Sequence, residues 1–516
     1  MYKRQQKALR EANRAFFAAA NGAAKRREQR RIKQLRAEIA EEVTRDHAFV
    51  SDDAKKLAAW DQFDPNAFAP FFDGGWMFGL SPDTSHFDVI LGNPPYRQIK
   101  KNEYSGLDYP FTEGKEKGKQ NLYKLFIERS RQLAGSDGQV CLIVQSSLMA
   151  DASATETRRM LLDHSRLSFV MEFPKKSSDP TAQVFESVLQ GTCIVQFRGE
   201  GGSQAFRLSH GNNIRTISEP LWTHLTRTAI KRLFPHTYIL PLVGPSDLHV
   251  MESMRAMSSL LGGLVDVGQS TKGDLNLGTN ANMISKVPTG VMLVRGAHVG
   301  RYALKHDGDS WINSSFRPDK RLVNRDSRIL VGQNITGTTD PFRLIFCEIG
   351  AGQEFLVGDS ALKVVPLDDL DTEFILACLC SLPLDWYFRR TSTNNHVNLY
   401  ELLELPIPNA NAEEKEIISV VTRCILAGAD RPRLEALINA FVYELFFADE
   451  LHAQKLFPFA VAREASLLKL AGLQGEELAR AADDWSRCLA DPAHPLYATL
   501  FDLQSIDAVR IIEGRT

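Results

Sequence analysis

The chain has 516 residues, of which 44% are hydrophobic and 24% are charged. This is the composition of an ordinary globular protein, long enough for roughly three domains. The formal net charge of -2 excludes a globally basic nucleic-acid-binding protein, so any DNA-binding surface must be a local patch.

Residues 1–50 are predicted to form a basic helical segment. Seven lysines and arginines between Lys25 and Arg36 surround the apolar positions Ile32, Leu35 and Ile39. This spacing makes a narrow apolar seam on a helix, which needs a packing partner. The charges could contact phosphates, although a charge run of this kind is also typical of a solvated helix face.

The most informative stretch runs from Phe87 to Tyr96 and reads FDVILGNPPY. Its first half is apolar and β-branched, which predicts a strand of a buried parallel sheet. The consecutive prolines 94 and 95 lack an N–H group and have a fixed φ, so the strand must end at Gly92 with Asn93 extended. A stiff loop therefore follows the carboxyl end of a strand, where open α/β sheets bind their ligands.

This loop offers two hydrogen-bond acceptors and an aromatic ring. The Asn93 side-chain oxygen and the Pro94 carbonyl can converge on an amino group, and Tyr96 can stack on a planar base. The stretch resembles motif IV of the DNA adenine-N6 methyltransferases. The resemblance implies that Asn93, Pro94, Pro95 and Tyr96 bind a flipped adenine, whose amino nitrogen attacks the methyl group of S-adenosylmethionine. A proline-terminated turn without function is the alternative.

Two further features follow the loop. Lys115, Lys117 and Lys119 lie among glycines in a segment that could contact the DNA backbone, or that could be only a linker. Asn121 then caps a predicted helix, and an apolar strand at 140–144 follows. Strand, helix and strand in this order predict a parallel crossover unit.

A helix at 155–164 and strands at 167–173 and 192–197 complete a partial Rossmann-like sheet. The Val-Phe pair that ends at Phe185 also resembles the methyltransferase family, in which an aromatic ring lies on the other face of the flipped base. The resemblance implies this role for Phe185, and core packing is the alternative.

From 246 to 410 short strands alternate with glycine-rich turns, and a predicted helix at 374–388 precedes a Leu-Pro-x-Pro segment at 405–408. This succession is similar to the α+β target-recognition domain of type I specificity subunits and of TaqI-like and type IIG enzymes. The resemblance implies DNA contact through polar side chains that can pair with base edges. We assign this role to Arg389, Arg390, Asn394, Asn395 and His396, with mere surface polarity as the alternative.

Residues 411–516 are predicted to form a helical C-terminal region with a packing role. The chain as a whole is thus expected to be α/β: a basic segment (1–50), a methyltransferase part with a partial sheet (51–245), a target-recognition domain (246–410) and a helical tail (411–516).

Several expected features are missing from the sequence. The glycine-rich turn that holds S-adenosylmethionine in this family, Asp-Pro-x-x-Gly-Ser-Gly-x-Phe, has no counterpart before Asn93. The Gly-x-Gly at 350–352 follows an apolar run, as a permuted methyltransferase would require, but no predicted helix follows it. No nuclease motif is visible. The seven cysteines include no Cys-x-x-Cys pair, and no apolar run of about 18 residues occurs, so we expect a cytoplasmic protein with no metal and no membrane span.

The sequence therefore resembles the C-terminal portion of a type IIG or related adenine-specific methyltransferase of a restriction-modification system. This resemblance implies double-stranded DNA as the substrate and S-adenosylmethionine as the methyl donor. We expect that a second chain brings the cofactor-binding half or that the chain is truncated. A DNA-binding specificity module and an inactive methylase remnant are the alternatives.

Overall fold

The computed structural model describes residues 2–45, 60–64, 66, 78, 80, 86–100, 103, 109–112, 120–174, 184–185, 190–215, 217–306, 308–313 and 327–515. These residues form a mixed α/β structure with one six-stranded sheet, two four-stranded sheets and one strand pair. None of the helices in this part of the chain combines the length and the hydropathy that a membrane span requires.

Two basic helices form an N-terminal hairpin: α1, Tyr2–Ala18, and α2, Gly22–Arg45. The seam predicted on α2 finds its packing partner in α1, where Leu9 and Ala12 contact the cluster of Ile32 and Ile39. The helical prediction for this segment is confirmed, because an apolar stripe with 3.6-residue spacing is buried most readily against a second stripe.

The largest sheet runs in the order β1-β2-β4-β3-β5-β6. β1 is parallel to β2 and β3 is parallel to β5, whereas the other neighbours are antiparallel. The predicted parallel unit is confirmed, with α3 as its helix. The bounds are β1, Val89–Gly92; α3, Leu122–Ala134; β2, Gln139–Gln145; β3, Arg166–Phe173; β4, Thr192–Arg198; β5, Ala205–Ser209; and β6, Thr223–Thr226.

One face of this sheet is covered by helices. Val140, Leu142 and Val195 are fully buried there in one cluster with Ile127 of α3 and Ile230. The predicted helix at 155–164 is found, although its second half winds as a π-helix. The helices on this side are α3; α4, Ser147–Ala150; α5, Thr155–Arg159, continued by the π-turn Met160–His164; and α6, Arg227–Leu233.

The prediction that the first strand is buried is wrong. β1 is the edge of the sheet, and Val89 and Leu91 are 59% and 74% exposed. The strand also begins at Val89 rather than at Phe87, whose N–H donates to the carbonyl of Leu133. An apolar, β-branched composition expresses a tendency toward burial, but it does not determine how many strands lie on each side.

The second half of the chain opens with α7, Pro245–Ala256, and continues in short strands. Two sheets have the orders β14-β10-β11-β9 and β13-β12-β15-β8, and β7 pairs with β16. The strands are β7, Ser258–Leu260; β8, Thr271–Lys272; β9, Ile284–Ser285; β10, Met292–Val294; β11, Trp311–Ile312; β12, Ile329–Gln333; β13, Phe346–Ile349; β14, Phe355–Val357; β15, Ala361–Val364; and β16, Pro406–Pro408.

Helices make up most of the remainder. The single helix predicted at 374–388 is two helices, broken at Cys380 and Ser381 because Pro383 begins a new first turn. The helical tail is confirmed. The bounds are α8, Thr372–Leu379; α9, Leu382–Thr391; α10, Leu399–Leu402; α11, Ala412–Leu426; α12, Arg431–Ala453; α13, Pro458–Glu464; α14, Gly475–Ser486; α15, Pro495–Asp502; and α16, Asp507–Glu513.

Candidate active site

The Asn93–Tyr96 loop leaves the carboxyl end of β1, which ends at Gly92 as the two prolines require. Asn93 and Pro95 are exposed, Pro94 is buried and Tyr96 is half-buried. The amide of Asn93 is therefore accessible to a ligand from solvent, while the loop beneath it is held by packing.

Tyr96 is anchored to the neighbouring strand. Its hydroxyl donates a hydrogen bond of 3.0 Å to the carbonyl of Ile143 on β2, and its ring packs against the apolar cluster of the sheet. Burial raises the pKa of Tyr96 to about 12, so the hydroxyl stays a neutral donor near neutral pH. The ring consequently has a fixed position beside Asn93.

The exit of the loop is also fixed. Leu122 N–H at the start of α3 donates to the carbonyl of Arg97 over 2.8 Å, and Ile99 N–H donates to the carbonyl of Gln120 over 2.9 Å. Arg97 binds Glu103 through both terminal nitrogens at 2.9 and 2.6 Å. These hydrogen bonds lower the pKa of Glu103 to about 2.

A polar cavity of about 270 Å³ lies at the carboxyl end of β2. Asn121 Nδ2 donates to Gln145 Oε1 over 3.1 Å, and Gln145 Nε2 in turn donates to Gln190 Oε1. No lysine or arginine lines the cavity, which suits neutral hydrogen-bonding groups of a base or sugar better than a phosphate. The lining residues are Asn121, Tyr123, Gln145, Ser146, Ser147, Asp151, Ser153, Gln190, Gly191, Thr393 and Asn394.

Asn394, one of the predicted DNA contacts, therefore lies on the far wall of this cavity. Its side chain accepts a hydrogen bond of 2.7 Å from His396 N–H, and its carbonyl accepts one of 2.9 Å from Arg343 Nη2. Asn395 and His396 are exposed. The structure thus brings part of the 393–396 segment toward the same edge of the sheet that carries Asn93.

The two predicted arginines have internal partners. Arg389 binds Asp385 Oδ2 at 2.6 Å and the carbonyls of Thr338 and Asp340. The Nε of Arg390 lies 3.4 Å from Asp247 Oδ2, and its guanidinium stacks over Trp386. These contacts give both guanidinium groups a structural role, and their contact with DNA stays a prediction.

Two other predictions are placed only in part. Phe185 is half-buried, and its pairing with Tyr96 around a base stays a prediction. Lys115, Lys117 and Lys119 lie outside the described residues.

Sequence reasoning missed Gln145 and Gln190 as site residues and treated Asn121 only as a helix cap. Asn121 does cap α3, by accepting from Tyr123 N–H. A signal for Gln145 existed, because a polar residue that directly ends an apolar strand lies at the ligand-binding edge of a parallel sheet. Gln190 lies 45 residues away in sequence, and only the pairing of β2 with β4 brings it close.

Residues 4–179 match the family model of the Eco57I restriction-modification methylases. No curated protein matches the chain. Among solved structures, the type IIG restriction endonuclease BpuSI is 12% identical over 77% of this chain and 54% of its own, with a TM-score of 0.26. A DrdV–DNA complex is 13% identical over 82% of this chain and 56% of its own, with a TM-score of 0.33.

A modification subunit of a putative type I restriction enzyme from Vibrio vulnificus YJ016 is 18% identical over 24% of this chain and 25% of its own, with a TM-score of 0.20. The chain spans less than two thirds of the length of each of these three structures. The predicted resemblance is confirmed by the family match, which includes the Asn93–Tyr96 loop: over residues 4–179 the chain is similar to the Eco57I restriction-modification methylases.

Proposed function

We propose that this chain carries the base-binding and DNA-recognition part of a site-specific DNA methyltransferase that modifies the N6 amino group of a flipped adenine. The observation that carries the proposal is an exposed Asn93 beside an anchored Tyr96, at the carboxyl end of a strand in a parallel pair. The family match over residues 4–179 supports methylation within a restriction-modification system. An adenine stacked in a duplex cannot reach such a loop, so it must be flipped out.

The chemistry follows from the two acceptors. An adenine amino group that donates its hydrogens to Asn93 Oδ1 and to the Pro94 carbonyl is held in one orientation, and electron density is drawn toward its nitrogen. The Tyr96 ring holds the plane of the base. Positioning and the exclusion of water supply the catalytic effect, and no covalent nucleophile of the protein is needed.

S-adenosylmethionine would supply the methyl group, but the described residues do not fit a site for it. The carboxyl ends of β1 and β2 lead into Asn93 and into Gln145–Ser146 rather than into a glycine-rich turn. The Gly350–Gly352 turn joins β13 to β14, away from the six-stranded sheet. The transfer step therefore needs a cofactor site from elsewhere.

We also propose the finer architecture that the sequence suggested. Residues 51–245 would form a partial Rossmann-like methyltransferase sheet and residues 246–410 a target-recognition domain, flanked by the basic segment and the helical tail. The polar cavity supports this division, because Asn121 and Gln145 line one side and Thr393 and Asn394 the other. Duplex DNA would lie over this border, with the flipped base between the two parts.

The experiment compares the chain with its Asn93→Ala variant, each expressed from its native locus with the neighbouring genes in a host free of DNA methylation. Mass spectrometry of hydrolysed genomic DNA separates N6-methyladenine from N4-methylcytosine. We expect N6-methyladenine with the parent chain and none with Asn93→Ala, while binding to duplex DNA is unchanged. Methylation that persists in the variant, or that falls on cytosine, would contradict the proposal. DNA binding without any methylation would instead favour a specificity module.

A further inference from the structure

The free edge of β1 is the least covered part of the six-stranded sheet. Among the described residues β1 pairs with β2 alone, in parallel. Gln139 N–H donates to the Asp88 carbonyl over 2.8 Å, so the alternating backbone groups of Val89 and Leu91 point away from β2. Their hydrogen-bonding groups thus form a row that a further strand can use.

The side chains at this edge are apolar as well as exposed. Leu91 is 74% exposed and Val89 59%. Next to Leu91 in register lies Cys141 on β2, and Ile143 and Ile194 continue the same face; all three are only half-buried. Parallel sheets are normally covered on both faces, and a hydrophobic edge strand left in water promotes association.

We propose that this edge and face, which we call the β1 surface (Val89, Leu91, Cys141, Ile143 and Ile194), dock a second, different polypeptide that adds a parallel strand beside β1. The inference rests on the proposed function, because that function needs a cofactor site that the described residues do not form. A strand parallel to β1 ends beside Asn93. A turn at its end therefore lies where a methyl group must be delivered to the bound amine.

A second copy of this chain does not meet this requirement. A two-fold axis would pair β1 with its symmetry mate antiparallel, because such interfaces are isologous. The amino-terminal end of the partner strand, at its Val89, would then lie beside Asn93, and no turn would be supplied there. The occupant is therefore a polypeptide that carries a parallel strand followed by a turn for S-adenosylmethionine.

The test uses the full chain, tagged at its native locus and purified under native conditions. Native mass spectrometry gives the composition of the assembly, and calorimetry with S-adenosylmethionine tests cofactor binding. Amide hydrogen exchange is then compared between the purified assembly and the separately expressed chain. We expect a complex of two different polypeptides that binds S-adenosylmethionine, with slowed exchange at Val89 and Leu91. The separately expressed chain should not bind the cofactor.

The variant Leu91→Lys places a charge on the β1 surface and should raise the dissociation constant of the complex at least about tenfold. Leu370→Lys is the matched control, because Leu370 is 81% exposed but lies outside the sheet, and it should leave the complex intact. A second measurement, the melting temperature of each variant expressed alone, should match that of the parent chain, since both side chains are exposed.

Three results would overturn the inference: a homodimer, a complex without protection at Val89 and Leu91, or a chain that binds S-adenosylmethionine alone. These results are distinct from a failure of the proposed function. If a partner docks at the β1 surface while the genomic DNA carries no N6-methyladenine, the docking inference stands and the function fails. If N6-methyladenine is made without protection at β1, the reverse holds.

Discussion

Asn93 and Tyr96 perform two different tasks that a base-binding loop requires. Asn93 is exposed and offers an acceptor, whereas Tyr96 is fixed through its hydroxyl to the Ile143 carbonyl. Both tasks could be predicted from sequence, because a proline pair stiffens the backbone whatever surrounds it. The hydrogen bond to Ile143 could not, since it depends on the pairing of β1 with β2.

The variant Tyr96→Phe separates anchoring from stacking. Loss of the hydroxyl leaves the Ile143 carbonyl without this donor and should lower the free energy of unfolding by about 1 kcal/mol, as measured by urea denaturation. The ring remains, so N6-methyladenine in genomic DNA should persist. Tyr96→Ala should abolish it. Complete loss of methylation in Tyr96→Phe would show that the hydroxyl takes part in the chemistry itself.

At the scale of elements, local signals were reliable and neighbour relations were not. Asn121 caps α3, and β1 stops at Gly92, because caps and prolines act within a few residues. The exposed position of β1 depends on which strands flank it, and the 89–92 stretch contains no information on that. Asp385, four residues before Arg389, was a readable sign that this arginine has an internal partner.

Arg343 connects the elements that present the 393–396 segment. Its side chain is buried and donates to Thr336 Oγ1 at 2.9 Å, to the Asn394 carbonyl at 2.9 Å and to the His396 carbonyl at 3.3 Å. The guanidinium replaces solvent for carbonyls that would otherwise lack donors. It is thus a positioning residue for the proposed DNA contacts.

Replacing Arg343 with Met keeps much of the volume but removes these donors. We expect a loss of roughly 2–4 kcal/mol in the free energy of unfolding, because charged hydrogen bonds are worth about 1.5–3 kcal/mol each. Amide exchange at 395–397 should accelerate and affinity for duplex DNA should fall. The control Arg510→Met, at a surface pair with Asp507, should change stability by less than about 0.5 kcal/mol. Unchanged exchange at 395–397 would exclude the positioning role.

Over the whole molecule, one hydrophobic cluster runs from the end of the six-stranded sheet to the C-terminal helices. Leu233, Phe346 and Phe374 belong to it together with Phe441 and Val509. The helical tail thus packs against the short-strand region, as its apolar stripe predicted. The division at residue 410 came from a change in sequence texture, which marks a change of secondary structure but cannot reveal a shared core.

Two carboxylic acids inside the protein make its stability depend on pH. Burial raises the pKa of Glu172 on β3 to about 7, and it does the same for Glu401. In the unfolded chain both titrate near their ordinary value of 4.5. Between these pH values the native state binds more protons than the unfolded state, so stability is complete below pH 4.5 and is lost as pH rises toward 7.

The variant Glu172→Gln should remove one half of this dependence. Glutamine keeps an acceptor for Gly211 N–H, which lies 2.8 Å from Glu172 Oε2, and it cannot ionise. The parent chain should lose up to about 3 kcal/mol per buried carboxyl between pH 4.5 and 7, and Glu172→Gln should flatten the curve by that amount. Urea denaturation at half-unit pH steps gives the slope, with Glu401→Gln as the matched variant. A slope identical to that of the parent chain would mean that Glu172 ionises freely in the native state, and that its side of the sheet is open to water.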